Sequence, residues 1–305
     1  MSLLIGADPE VFVTVKDVPV SAFDMVPGTK EKPFPVPYGA VQVDGMALEF
    51  NIEPADKEEV FVRNIKEVMS SLEDMLPEDN KLSIVPSVHF RKSVMDKQPA
   101  KALQLGCDPD FNAYTMKMNK QPKAPKDMRS AGGHVHIGWC TGEEPLETAH
   151  FTSCCELVKE LDYFLGLPSL VLDDNTERRK IYGQAGAFRP KSYGVEYRVL
   201  SNFWITNEEY MKFVFAQVNR TFEYLVEKKG RGLYSSYGNY AANAISSNVV
   251  NSFWELKEHF EKNNYKTPLI PEEFNHLFKR EKIKVDPKQY YYTTYSGTAT
   301  TTATW

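Results

Sequence analysis

The chain changes its hydrophobic period several times, and each change predicts an element. Residues 10–16, EVFVTVK, alternate as a strand does. A loop with Pro27, Pro33, Pro35 and Pro37 follows, and AVQVDGMALEFNIE at 40–53 then predicts a hairpin turning at Asp44–Gly45. Next, Ile65, Val68, Met69, Leu72, Met75 and Leu76 recur at helical spacing until Pro77, with Asp56 as the expected cap and Glu59 completing a capping box. LSIVPSVHF at 82–90 predicts a strand interrupted at Pro86, and the polar stretch 93–130 predicts a long loop. HVHIGW predicts a strand, residues 147–165 a helix, and GVEYRVLSNFW at 194–204 another strand. Thr206 with Glu209 is the expected cap of an amphipathic helix ending near Gly230. The last third reads as mostly helical, and Tyr290–Trp305 carries no readable motif. The pattern predicts an α+β fold built on antiparallel hairpins: a principal domain over 1–230 and a helical C-terminal part over 231–305, packed on the same domain.

The polar positions inside these strands carry the chemistry. Side chains alternate across an extended chain, so Asp8 and Glu10 share one face. Glu49, Asn51 and Glu53 share a face opposite Leu48, Phe50 and Ile52. His134 and His136 oppose Val135 and Ile137, and Glu196 and Arg198 oppose Val195, Tyr197 and Val199. A solvated sheet face also alternates, but it favours Lys, Thr and Ser, whereas these sets lack lysine. Carboxylates gathered with imidazoles suit a hard divalent cation such as Mg²⁺ or Mn²⁺ in a nucleotide site. The Arg198 fork matches phosphate oxygens. No GxxxxGK[ST] loop, G-x-G-x-x-G turn or kinase motif set occurs, so a nucleotide would have to be held by a metal-rich sheet.

Composition narrows the classes. With 42% hydrophobic and 25% charged residues the chain reads as a soluble globular protein. Its net charge of -5 argues against general nucleic-acid binding, although Lys117 to Lys126 is locally basic. The start, MSLLIGADPEVFV, lacks the basic residues of a signal peptide, and no apolar run approaches the roughly 18 residues of a membrane span. Cys107, Cys140, Cys154 and Cys155 show no zinc or redox spacing, which sets a cytoplasmic location as the expectation. His89 is expected in the core, and His150, His259 and His276 on helices in packing or surface roles.

GADPE at 6–10, GGHVHIG at 132–138 and YGVEYRVLSNFW at 193–204 resemble the phage-type COOH–NH2 ligases, amidoligase type 2. These belong to the glutamine synthetase and glutamate–cysteine ligase superfamily of carboxylate–amine ligases. The resemblance runs from about residue 3 to about 230. It implies a glutamine synthetase-like curved antiparallel sheet with the active site on its concave face and helices behind. It implies metal ligands at Asp8, Glu10, Glu49, His134 and Glu196, with Asp8 departing from the usual Glu. His136 would contact nucleotide phosphate, Arg198 the transferred phosphoryl group, and Arg178, Arg179 and Arg189 would bind phosphate or substrate. Glu49, Glu196 and Arg198 form the implied catalytic set. Gly132 and Gly133 would leave room for the nucleotide beside the His134–His136 strand.

GCDPDFNAY at 106–114 echoes GADPE, and with it Asp110, Asn112 and, on the second strand, Asn51 become substrate-binding candidates, Asp108 being read as a turn residue. The implied reaction is ATP-dependent amide formation with Mg²⁺ or Mn²⁺, through an acyl phosphate, between small-molecule or peptide carboxylates and amines. No nucleic-acid or membrane partner is expected, and the setting would be the host cytoplasm if the chain is phage-encoded. The alternatives are a guanidino-type phosphotransferase on the same fold and a non-catalytic, virion-associated or binding derivative.

Overall fold

The structure, a computed structural model, describes residues 3–103, 110–120, 123–263 and 267–280. The first hairpins supply β1 (Leu4–Val15), β2 (Val18–Val20), β3 (Phe34–Val36), β4 (Gly39–Asp44) and β5 (Ala47–Ile52). Short strands follow: β6 (Asn80–Ser83), β7 (Ser87–His89), β8 (Phe111–Asn112), β9 (Lys117–Met118) and β10 (Met128–Ser130). The last are β11 (Gly133–Gly138), β12 (Ala187–Lys191) and β13 (Gly194–Tyr197). Eleven of them form one sheet in the order β3-β4-β5-β1-β11-β13-β12-β8-β9, with β2 and β6 on the far half of β1. Its pairs are antiparallel. The fold is α+β, as the hydrophobic pattern predicts.

One face of the sheet is the core wall. Ile5, Val11, Leu48, Phe50, Val135, Ile137, Val195 and Tyr197 are all fully buried. Burying a large apolar side chain stabilises a fold by roughly 2–3 kcal/mol, so this face determines which way every strand points. Helices cover it: Glu58–Asp74 packs on β5 and on Glu208–Glu227, and Thr148–Leu161 on β12 and β13. Phe61 of the first helix stacks on Trp204, with ring centroids 5.9 Å apart. Helices Tyr240–Ser247 and Asn251–Lys262 pack on the segment 162–172. No helix among the described residues is long and apolar enough to cross a membrane.

Several element ends differ from the sequence pattern. Lys57, not Asp56, precedes the first helix and gives no side-chain cap; Glu58 and Glu59 in the first turn complement the helix dipole instead. That helix stops at Asp74, short of Pro77. Asn207, not Thr206, caps the helix Glu208–Glu227, its side chain accepting from the Tyr210 N–H, while the Thr206 hydroxyl donates to the Phe203 carbonyl. The strand expected at 194–204 ends at Tyr197, and Asn202–Thr206 is a 3₁₀ turn that buries Trp204. The stretch 93–130 is not featureless: it contains short helices at Lys92–Met95 and Ala100–Leu103 and the strands β8, β9 and β10. His89 is no core residue; it is half-exposed between Asp127 and Glu177. Cys154 and Cys155 are buried free thiols, whereas Cys107, Asp108 and Tyr290–Trp305 lie outside the described residues.

Candidate active site

Strand register brings the polar sets together. Asp8 pairs with His134 across β1 and β11, His136 with Glu196 across β11 and β13, and Arg189 with Glu196 across β12 and β13. On the other side of β1, Glu10 pairs with Glu49 and Glu49 with Gln42. Directly opposed residues on one face lie within side-chain reach, so neighbouring strands build one continuous polar patch.

Asp8 is its hub. One carboxylate oxygen lies 3.2 Å from His134 Nδ1 and the other 3.0 Å from His136 Nε2. Glu196, fully buried, contacts the Arg198 guanidinium and lies 2.7 Å from Lys191 Nζ and 3.5 Å from an Arg189 nitrogen. Asp8, His136 and Glu196 each offer a ligand atom within 4.8 Å of the other two. Asp8 Oδ1, His136 Nε2 and Glu196 Oε2 are buried and sit at ion-pair distances, yet make no aligned hydrogen bond. That donor set fits a divalent cation.

The charges are fixed by their neighbours. Burial pushes the Asp8 carboxyl up, but His136 and His134 outweigh it and hold it well below the usual carboxylate range. Burial also opposes ionisation of Glu196, and Arg198 overcomes it, bringing its pKa down to about 2. Burial and then the nearby Arg198 charge lower His134 to about 4, a neutral ring at physiological pH. His136 moves the other way: against burial, Asp8 raises it, and its Nδ1 meets the Tyr193 hydroxyl.

A second acidic group lies beside the first. Glu10 accepts the Gly132 N–H at 2.7 Å, and Glu49 accepts the Gln42 side chain at 2.6 Å. Burial and then Asp44 push Glu10 up to about 7. Burial, followed by Asp8, Glu10 and Asp44, drives Glu49 well above its usual value. Glu10, Asp44, Asp110, His134, Arg178 and Arg198 line one open cleft. Asp110 reaches to 3.6 Å from Arg198 Nε.

Not every candidate from the sequence joins this group. Arg178 lines the cleft but donates to the Val199 and Arg198 carbonyls, leaving its Nε without a partner. Arg179 is committed elsewhere: it donates to the Ser169 and Asp173 carbonyls, the Asp173 carboxylate and the Asn248 side chain. Those bonds tie the helix Leu167–Leu172 to the end of Tyr240–Ser247 and place the guanidinium of this phosphate-binding candidate away from the Asp8 cluster. Asn112 closes a turn, accepting the Tyr114 and Thr115 N–H groups and donating to the Ala185 carbonyl, so its amide is already satisfied away from the cluster. Asn51 pairs with Ala40 two residues beyond Glu49, and Glu53 is exposed past the strand end.

Gly132 and Gly133 do not leave room for a nucleotide, contrary to expectation. A Cβ on Gly132 would stand 2.2 Å from His134 Nε2, and one on Gly133 would stand 2.4 Å from both the Ser201 carbonyl and Trp204 Nε1. Each glycine therefore makes room for the protein's own groups. Asp44, Gln42, Lys191 and Tyr193 belong to the site without having stood out in the sequence. Gln42 and Asp44 share the parity of a buried-face strand, opposite Val41 and Val43, but the Asp-Gly turn signal masks it.

Residues 123–235 match the family model of the phage phiEco32-like COOH.NH2 ligase-type 2 proteins. The matched stretch contains His134, His136, Arg178, Arg189, Glu196 and Arg198. Asp8, Glu10, Asp44 and Glu49, contributed by β1, β4 and β5, lie outside it, so the match begins far beyond the start expected near residue 3. No curated protein matches the chain. Among solved structures, a bifunctional glutathione synthetase from Pasteurella multocida aligns at 10% identity with a TM-score of 0.39, over 88% of this chain. The chain spans half the length of that structure.

Proposed function

We propose that the chain is a carboxylate–amine ligase that consumes ATP with Mg²⁺ or Mn²⁺ and passes through an acyl phosphate. The observation that carries this reading is the Asp8–His136–Glu196 trio, with Arg198 on Glu196 and an acid-lined cleft beside it. The matched stretch supplies three of those four residues. The same motif order along the strands supports reading the sheet as glutamine synthetase-like, with the polar face as its concave side.

A bound divalent cation supplies neutralisation of phosphate charge. Asp8, Glu196 and His136 would hold it, which divides the histidine pair differently from the sequence-based expectation. His134, neutral and 3.3 Å from an Arg198 nitrogen, orients that guanidinium towards the transferring phosphoryl group. Burial raises Glu10, Asp44 and Glu49, with added repulsion from neighbouring carboxylates, so a second cation, a metal or the ammonium form of the amine, fits beside them. Arg178 and Arg198 line the cleft as cations for the substrate carboxylate. Holding acid, phosphoryl group and amine together then provides much of the acceleration. No covalent nucleophile is required.

The test is phosphate release from ATP across pools of amino acids, amines and peptides, with mass spectrometry of the products. An amide plus free phosphate, lost in excess chelator, is the expected result. A stable phosphorylated product would instead establish the phosphotransferase, and nucleotide binding indifferent to chelator would overturn the metal-site reading.

A further inference from the structure

The hairpin that carries Asp110 is held to the sheet by very little backbone. β8 pairs with β12 only at Asn112–Ala187 and Phe111–Phe188, and β9 adds only Lys117 and Met118 beyond it. Two-residue strands make few ladder bonds, so side chains must fix the hairpin's position. Phe111 does part of this, edge-on to Phe151 with centroids 5.1 Å apart. Asn112 adds a bond from its side chain to the Ala185 carbonyl, the Ala113 N–H adds one to the Gly186 carbonyl, and Tyr114 adds a longer tie. Its ring lies against Gly186, where a Cβ would come within 2.7 Å of Tyr114 Cδ2. Beyond the ring, its hydroxyl donates to Asp162 Oδ2 at 2.9 Å.

Asp162 is fully buried at the start of a π-helical turn, Asp162–Gly166, that follows the helix Thr148–Leu161. Its other oxygen accepts the Tyr197 hydroxyl at 2.7 Å. Tyr197 stands between Glu196 and Arg198, on the opposite face of the same strand end. One buried carboxyl group therefore joins two segments: the hairpin bearing Asp110 and the strand end bearing Glu196 and Arg198. On the cleft side these segments meet again, Asp110 lying 3.6 Å from Arg198 Nε. Asn119 steadies Asp110 from within the hairpin, its side chain donating to Oδ1 at 2.9 Å and its N–H to the Asp110 carbonyl at 2.8 Å.

A buried carboxyl is costly in a core that apolar packing alone would hold, and a wholly apolar group would leave the orientation of both rings unspecified. Single π-helical turns inside helices are frequent at functional sites. We propose that Asp162 is a positioning residue, which through Tyr114 and Tyr197 sets Asp110 against Arg198, and that the Asp110 carboxylate so placed receives the incoming amine together with Glu10 and Asp44, which line the same cleft. The inference rests on the ligase reading for its kinetic consequence, but the tie itself does not.

The experiment compares Tyr114→Phe and Asp162→Asn with Tyr163→Phe, which removes a phenol bonded elsewhere, to the Gly238 carbonyl. Hydrogen exchange is followed by mass spectrometry, and steady-state kinetics use ammonium chloride as the amine. Tyr114→Phe keeps the ring packing, so amides of 110–119 are expected to exchange roughly tenfold faster or more, with β11 unchanged. KM for ammonium is expected to rise by a similar factor, while KM for ATP stays as in the wild type. Tyr163→Phe is expected to do neither. Unchanged exchange in 110–119 overturns the tie, and faster exchange with an unchanged ammonium KM overturns the positioning role. Should the wild-type chain ligate nothing, the ligase reading falls while the exchange result still decides the tie.

Discussion

Glu10 and Glu49 face each other directly across the antiparallel pair of β1 and β5, two half-buried carboxyl groups in one register position. Like charges so placed repel. Burial raises Glu10 to about 7 and Glu49 well above its usual value, so both are harder to ionise in the folded chain than in the unfolded one. Their contribution to stability is complete below the ordinary carboxylate range and is lost as pH rises through the raised values. The urea midpoint of metal-free protein is therefore expected to fall between about pH 5 and about pH 8, with excess Mg²⁺ or Mn²⁺ restoring it at the higher value. Glu49→Gln is expected to flatten that fall and stabilise the metal-free chain by about 1 kcal/mol at about pH 8. A midpoint that rises with pH in chelator would contradict the assignment.

Glu196 is the second point of stress. It faces Arg198, Arg189 and Lys191 while fully buried, so neutralising it strands cations in a site of low dielectric. Glu196→Gln is expected to reduce turnover by about a hundredfold or more while costing about 3 kcal/mol of stability, because a broken buried pair leaves uncompensated charge. His136→Ala is expected to weaken Mn²⁺ binding by about tenfold or more. His134→Ala is expected to abolish turnover with a smaller effect on the metal, since its ring orients Arg198. Calorimetry with Mn²⁺ alone separates the two histidines without relying on activity.

Arg179 makes the opposite prediction. Its bonds all run to groups that hold the helices together, none to the cleft. Arg179→Lys loses the planar fork, and the Ser169 and Asp173 acceptors cannot all be served by one ammonium. A stability loss of about 2–4 kcal/mol is expected, read as a lower urea midpoint. Affinity for Mg²⁺–ATP at low temperature is expected to stay as in the wild type. A weakened nucleotide affinity in a fully folded variant would return Arg179 to the phosphate-binding set.

These contrasts show where the sequence is readable. Period and parity are local properties, so the Asp44–Gly45 hairpin, β1, β11 and the shared faces of Asp8/Glu10, His134/His136 and Glu196/Arg198 are legible in the order of residues alone. Caps are less so, because Asp56 and Thr206 satisfy a pattern that Lys57 and Asn207 occupy by a shift of one residue. Cross-strand register is not local. It alone places His136 beside Glu196, and it alone gathers Asp44 and Gln42 with Glu49. Arg178 and Arg179 adjoin in sequence, yet one lines the cleft and the other clamps helices, because neighbouring positions on a helix point in different directions. Asp162 carries no sequence signal, since a helical aspartate flanked by apolar residues becomes informative only when two tyrosines from distant segments converge on it.

Gly132 yields the last prediction. Its backbone is pinned on both sides, the N–H donating to Glu10 Oε2 at 2.7 Å and the carbonyl accepting the Glu10 N–H at 2.9 Å. The chain there cannot slide away to admit a side chain. A Cβ would meet His134 Nε2 at 2.2 Å and Cε1 at 2.8 Å, so the imidazole must rotate instead. Rotation takes Nδ1 from Asp8 and from Arg198, now 3.2 and 3.3 Å away. Gly132→Ala is therefore expected to lose turnover to the extent that His134→Ala does, and to cost about 1–3 kcal/mol from overpacking. The double variant should be no less active than either single one and should recover part of that stability, since the clashing ring is gone. Losses that multiply in the double variant would show that Gly132 acts on something other than the position of His134.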